Sequence, residues 1–327
     1  MMKKAFIGQE KIKNLFETAL KKDTLNHCYA IEGEKGMGKS TLTQLLAQMI
    51  VCENHNACGY CKDCVMAQAG THPDIEYILP EEDKKKIGVD VVRKMIADIY
   101  VRPYTSEKKV IVINDFEIAM PQAQNAILKV LEEPPEYVVF LLTVSSVKDM
   151  LDTVKSRSTI LTMQPYSGEE IKQFLRENTL ISDKEIDFIA AYSNGNTGKG
   201  KRLAENEEFS ALRRTTFERL FELALNRNII PISDMAKKDS SGLTKEFFEC
   251  ILSFFRDMLM YKIGAKALVV NADYADRIMA AAEKIKTERI IRVMQDILAA
   301  DENLQRNINY NLAVMSMVFG GLEEING

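Results

Sequence analysis

The sequence predicts an α/β domain followed by an all-α region, on three observations. Two continuous apolar runs, KVIVI at 109–113 and VVFLLTV at 138–144, read as strands buried on both faces. A glycine-rich stretch, GEKGMGKST at 33–41, stands between a short apolar run and a helical pattern, the setting of a loop that cradles phosphate. Beyond Pro165 the apolar residues keep helical spacing and no strand pattern follows. Strand and helix in alternation argue a parallel sheet with helices on both faces.

In chain order, NHCYAIEG reads as a short buried strand. KSTLTQLLAQMIV carries Leu42, Leu45, Leu46, Met49 and Ile50 on one helical face. DIEYILP is a further strand, and GVDVVRKMIADIYV a helix opened by Gly88 or Asp90. After Pro165, Ser167 and Glu170 have the spacing of a capping box. NGNTGKGK at 194–201 is expected to break a small helical module. PISDMAKKDSSGLTKE at 231–246 reads as a polar linker. Phe247, Ile251, Phe254, Phe255 and Met258 line one face of a later helix.

A chain of 327 residues exceeds one ordinary compact core, so two or three domains are expected. The 46% hydrophobic and 28% charged fractions suit a soluble protein. No apolar run reaches the roughly 18 residues of a membrane span. Lys3 and Lys4 are followed by no apolar h-region, so a cytoplasmic location is expected, where stable disulfides do not form. A net charge of −4 gives no global basis for nucleic-acid binding. The stretches EEDKKK and SEKKV read as solvated charge.

The phosphate loop has its spacing for a reason. Gly33, Gly36 and Gly38 let backbone N–H groups turn toward phosphate oxygens. Lys39 is placed to reach the β- and γ-phosphates, and Ser40, followed by Thr41, to help hold Mg²⁺. The expected ligand is ATP or ADP with Mg²⁺. A second local motif, CENHNACGYCKDC, sets Cys52, Cys58, Cys61 and Cys64 within one short stretch. Two overlapping C-x-x-C pairs suit tetrahedral thiolate coordination of a structural Zn²⁺, with no position open to substrate. His55 and His72 could substitute as ligands but are expected to be exposed, and Cys28 and Cys250 to be buried small hydrophobes.

A phosphate loop followed at once by a four-cysteine insertion resembles the subunits of the bacterial DNA polymerase III clamp loader, an AAA+ assembly. FIGQEKIKNLF is similar to that family's opening Gly-Gln box at Gly8 and Gln9. THPDIEYI, VDVVRKM, NAILKVLEEPPEYVVFLL, VKSRS and NLQRNINYNLAVMSMV also match. The resemblance implies an AAA+ nucleotide-binding domain at 1–165, a three-helix lid at 166–208 and a helical collar at 209–327. It implies gamma/tau and delta subunits as partners in a five-membered ring, and a sliding clamp and primer–template DNA reached through the assembly.

Departures from the motifs point to one class of subunit. Counted back from NAILK, the family's acidic pair falls on Asn114 and Asp115. Asn114 lacks the charge that helps fix magnesium, and Asp115 withdraws its carboxylate by about 1.5 Å relative to glutamate. A rival register makes Asp115 the metal residue and Glu117 its follower. Gly198 lines up with an arginine that senses the γ-phosphate. Ser156 and Arg157 match the motif whose arginine reaches the neighbouring subunit's nucleotide, where such groups are worth ~10³–10⁵ in rate. The pattern resembles the stator class: nucleotide bound, poor hydrolysis of its own, an arginine lent in trans. Two alternatives stay open: an active gamma/tau-type ATPase, and a zinc-containing P-loop kinase or NTP-dependent regulator.

Overall fold

The computed structural model describes residues 6–80, 86–226 and 244–305, with side chains through 300. The expected linker up to residue 243, most of EEDKKK and the C-terminal match from residue 306 lie outside them. The described chain forms two compact units. One runs through Phe174 and takes in Ser193–Lys199; the other holds Leu175–Tyr192 and continues from Gly200.

The first unit is built on five parallel strands: β1 (Cys28–Glu32), β2 (Ile75–Ile78), β3 (Lys109–Ile113), β4 (Val138–Val144) and β5 (Thr159–Thr162). Their order is β2-β3-β4-β1-β5. β3 and β4 coincide with the two apolar runs, and every residue of both is buried. β5 was not expected, since as an edge strand it buries only Leu161.

Strand alternation places helices on both faces. Cys28, Ala30, Ile111, Ile113, Phe140 and Leu142 share one apolar cluster with Val92 and Met95 of α4 (Val89–Asp98) and Ile127, Val130 and Leu131 of α5 (Pro121–Glu132). Tyr29, on the other face, meets Phe16 of α1 (Glu10–Lys21) with ring centroids 4.5 Å apart. α2 (Lys39–Val51) packs on β1, β3 and β4, and α3 (Lys62–Gln68) packs on α2. α4 starts after Gly88 rather than Asp90. Asp74, 1% exposed, fastens the loop ahead of β3. It accepts the N–H groups of Tyr104 (2.6 Å), Thr105 (2.9 Å) and Ser106 (2.9 Å) and both hydroxyls at 3.0 Å.

α6 (Asp152–Lys155) precedes β5, and α7 (Gly168–Asn178) opens with the expected capping box. Ser167 N–H donates to Glu170 at 2.7 Å, and the Glu170 N–H donates to Ser167 Oγ at 3.3 Å. α8 (Asp183–Tyr192) is followed by α9 (Thr197–Ala204). The expected break at 194–201 is therefore corrected: the turn ends at Asn196, and TGKGK begins a helix. Asn196 Oδ1 caps it by accepting the Lys199 N–H at 3.0 Å, which outweighs the low helix propensity of two glycines.

The second unit is helical throughout the described residues, with α10 (Glu207–Asn226), α11 (Thr244–Lys262), α12 (Ala275–Lys284) and α13 (Thr287–Gln305). Phe247, Ile251, Phe254, Phe255 and Met258 are all buried. Arg213 is also buried, and paired in fork geometry with Asp273 at 2.8 and 2.7 Å. Its guanidinium also lies 4.1 Å from the Phe188 ring centroid. An arginine so placed keeps its charge, and removing one partner would leave the other stranded.

Candidate nucleotide and metal sites

The phosphate loop joins β1 to α2. Gly36 and Gly38 take φ of 93° and 85°, a region that favours glycine. Gly38 is the N-cap of α2, so the positive end of that helix faces the loop. Lys39 is buried, its Nζ turned back to the carbonyls of Gly33 (2.8 Å) and Glu34 (3.4 Å). Ser40 and Thr41 are exposed in the first turn.

The loop is braced from outside. Tyr166 Oη donates to Met37 O at 3.2 Å, and Asn196 Nδ2 to Lys35 O at 2.9 Å. Gly198 N–H donates to Gly36 O at 2.8 Å, and Thr197 Oγ1 to the same oxygen at 3.3 Å. All of these fall on carbonyl oxygens, the opposite pole of the peptide from the N–H groups that would meet an anion. Gly8 and Gln9 join the same region: Gln9 exchanges side-chain bonds with the Gln164 backbone at 2.6 and 3.0 Å. Tyr166 and Asn196 lay outside the reading of the sequence, because a brace some 130–160 residues distant leaves no local pattern.

Asn114 follows β3, and Asp115 is exposed with φ 49°. The Asp115 N–H donates to Thr143 Oγ1 at 2.8 Å, which sits 3.5 Å from Asn114 Oδ1. Glu117, the follower in the rival register, is engaged elsewhere. Its Oε1 accepts the Ser145 hydroxyl at 2.6 Å and the Ser145 N–H at 3.0 Å. Glu32 similarly accepts the Val147 N–H at 2.9 Å. Two carboxylates thus hold the turn after β4 beside the phosphate loop. Arg157 stands at the C-terminal end of α5, where Nη2 donates to Glu132 at 2.8 Å and Nη1 to Thr153 O at 2.9 Å. Ser156 is the exposed C-cap of α6.

The four cysteines converge, with all Sγ atoms of Cys52, Cys58, Cys61 and Cys64 within 4.8 Å of one another. A tetrahedral ion with metal–sulfur bonds of about 2.3 Å sets sulfur–sulfur edges of about 3.8 Å. Cys58 and Cys64 are 3.8 Å apart, so the donor set fits a metal. Cys61 N–H points at Cys58 Sγ (3.5 Å) and Cys64 N–H at Cys61 Sγ (3.4 Å), as donors to thiolate should. Burial acts to raise the Cys58 thiol, but the Tyr60 and Cys61 N–H groups and neighbouring thiols bring it down to about 6. Burial pushes the Cys64 thiol well up, a cost that a bound cation would offset.

The expectation of an exposed His72 is corrected. His72 is 4% exposed, and its Nδ1 accepts the Asp74 N–H at 3.0 Å. That leaves Nε2 to donate to Asp63 Oδ1 at 3.2 Å, tying α3 and its cysteines to the start of β2. His55 is half-buried. Cys28 and Cys250 are buried as expected, and burial pushes both thiols up to about 12.

The family described as "DNA polymerase III, delta subunit" matches residues 8–167, and its C-terminal counterpart matches residues 207–320. The chain belongs to this family. Two delta' subunits resemble it along nearly their whole length. DNA polymerase III subunit delta' of Bacillus subtilis is 26% identical over 314 residues, 92% of each chain. The same subunit of Escherichia coli is 25% identical over 298 residues, 90% of this chain and 88% of its own. A gamma/tau subunit of Mycoplasma genitalium is 26% identical over 336 residues, but that match spans 96% of this chain and only 55% of the relative. The family therefore extends across both structural units.

Proposed function

We propose that this chain is the delta-prime type of subunit of a bacterial DNA polymerase III clamp loader, its stator in replication. The observation that carries the reading is the likeness to delta-prime subunits over about nine-tenths of both chains. In this role the chain completes a ring with gamma/tau and delta subunits, in the cytoplasm, and reaches sliding clamp and primer–template DNA through them. Residues 1–165, 166–208 and 209–327 would serve as nucleotide domain, lid and collar.

The phosphate loop supports binding of ATP or ADP through Gly33, Gly36, Gly38 and Lys39, with Ser40 and Thr41 beside Mg²⁺. A bound magnesium supplies charge neutralisation for phosphoryl transfer. Hydrolysis by this chain is poor in this reading. Asn114 is neutral, Asp115 is short, and Gly198 brings no cation. Arg157 instead donates charge stabilisation to the neighbouring subunit's nucleotide. Cys52, Cys58, Cys61 and Cys64 hold a structural Zn²⁺, which cross-links a loop of little apolar content.

The intact phosphate loop favours a second reading, an active gamma/tau-type motor. One experiment separates the two: reconstitution with gamma/tau and delta subunits, measuring complex formation and DNA-stimulated ATP hydrolysis with and without this chain. A stator leaves the isolated chain with little turnover and is required for full activity of the assembly. Brisk hydrolysis by the chain alone, abolished by Lys39→Ala, would favour the motor.

A further inference from the structure

We propose that Glu132 is the positioning residue of Arg157, its carboxylate fixing the guanidinium in the orientation offered to the neighbouring nucleotide. The inference rests on the reading of Arg157 as an arginine acting in trans.

Arg157 sits in the turn between α6 and β5, where its backbone N–H donates to Val154 O at 3.1 Å. Its side chain remains one-third exposed, 34%. A free arginine there would sample many rotamers, at an entropic cost when one is later selected. This one is harnessed. Nη1 donates to Thr153 O (2.9 Å) and lies 3.3 Å from Ser156 Oγ, while Nη2 donates to Glu132 Oε1 at 2.8 Å. The harness draws on two elements 25 residues apart in sequence.

Glu132 is itself placed by the chain. It is the last residue of α5, with Glu133 at φ −130° as C-cap and Pro134 and Pro135 preventing continuation. A carboxylate at the negative end of a helix is unfavourable by itself and becomes favourable beside a cation. The position therefore demands a guanidinium or a solvent shell, and Arg157 supplies the former. As a stability element the pair is worth little, since solvent screens an exposed ion pair and ordering two long side chains offsets the attraction. As an orienting element it acts before the neighbour arrives, so the ordering cost is not charged against the transition state.

The test is a double-mutant cycle in the loader reconstituted with gamma/tau and delta subunits, using the full chain as wild type, R157A, E132Q and the double variant. Steady-state ATP kinetics, assembly affinity and the melting temperature of the free chain are measured. Arg157→Ala lowers kcat. Glu132→Gln lowers kcat by about two- to fivefold, with KM for ATP, assembly affinity and melting temperature unchanged. The double variant is no slower than R157A, because the carboxylate acts only through that guanidinium. Unchanged kcat in E132Q while R157A is impaired overturns the positioning role alone, as does an E132Q loss of equal size in the R157A background. Unchanged kcat in R157A overturns the reading of Arg157 in trans, and the role of Glu132 with it.

Discussion

Gly198 donates its backbone N–H to the carbonyl oxygen of Gly36 at 2.8 Å, and a Cβ on Gly198 would lie 2.6 Å from that same oxygen. The position expected from the sequence to align with a phosphate-sensing arginine is thus filled by backbone-on-backbone contact. Gly198→Arg is expected to leave ATP turnover of the free chain at the wild-type level and to lower stability. Two effects compete. Replacing glycine inside a helix gains roughly 0.5–1 kcal/mol, whereas overpacking against groups that cannot move costs about 1–3 kcal/mol. The obstructing atoms are backbone, so the second wins and the melting temperature falls. A tenfold rise in turnover would contradict this account.

Asp74 should dominate the acid stability of the first unit. Burial acts to raise its carboxyl, but the donors from residues 104–106 outweigh it and hold the pKa at about 2, below the ordinary 3.8. A group depressed on folding stabilises above its unfolded pKa and loses that contribution as pH falls toward its folded one. Asp74→Asn should therefore cost about 2 kcal/mol near pH 7 and little at pH 2. Denaturant unfolding at the two pH values measures the difference, and an equal loss at both would refute the assignment.

Local features were legible in the sequence and distant pairings were not. KVIVI and VVFLLTV coincide with β3 and β4 because strands covered on both faces need unbroken apolar runs. The phosphate loop and cysteine cluster were readable because their ligating groups lie close together along the chain. The helix at Thr197–Ala204 was missed because its start depends on Asn196 and on contact with Gly36, while threonine and glycine argue against it locally. His72 was misplaced for a similar reason: its burial depends on Asp63 and the Asp74 N–H, not on its own polarity. Glu117 with Ser145 and Glu132 with Arg157 join residues 28 and 25 apart with no periodicity to mark them.

Cys61 combines two tasks that one substitution should expose. Its thiol belongs to the four-sulfur cluster, and the residue caps α3 by accepting the Cys64 N–H. Serine keeps a capping oxygen but is a poor zinc ligand. Cys61→Ser should therefore lose zinc, as counted by metal analysis of the purified protein. Protease susceptibility should rise at 52–64 while nucleotide binding remains measurable. Retention of one zinc per chain would remove Cys61 from the ligand set.

Under the proposed function, Lys39 separates holding a nucleotide from serving the ring. Its ammonium is buried against the Gly33 and Glu34 carbonyls, while Arg157 is held by Glu132 and Thr153 at the far end of α5. In the proposed function, Lys39→Ala removes the cation that would meet the β- and γ-phosphates. ATP affinity of the free chain should fall at least tenfold, about 1.4 kcal/mol, measured by calorimetric titration. Arg157 keeps its partners in that variant, so a loader assembled around it should hydrolyse ATP at near wild-type kcat in the neighbouring subunits. If kcat instead collapsed with assembly intact, occupancy of this chain's own loop would be part of the machine's cycle, and a purely static role would be untenable.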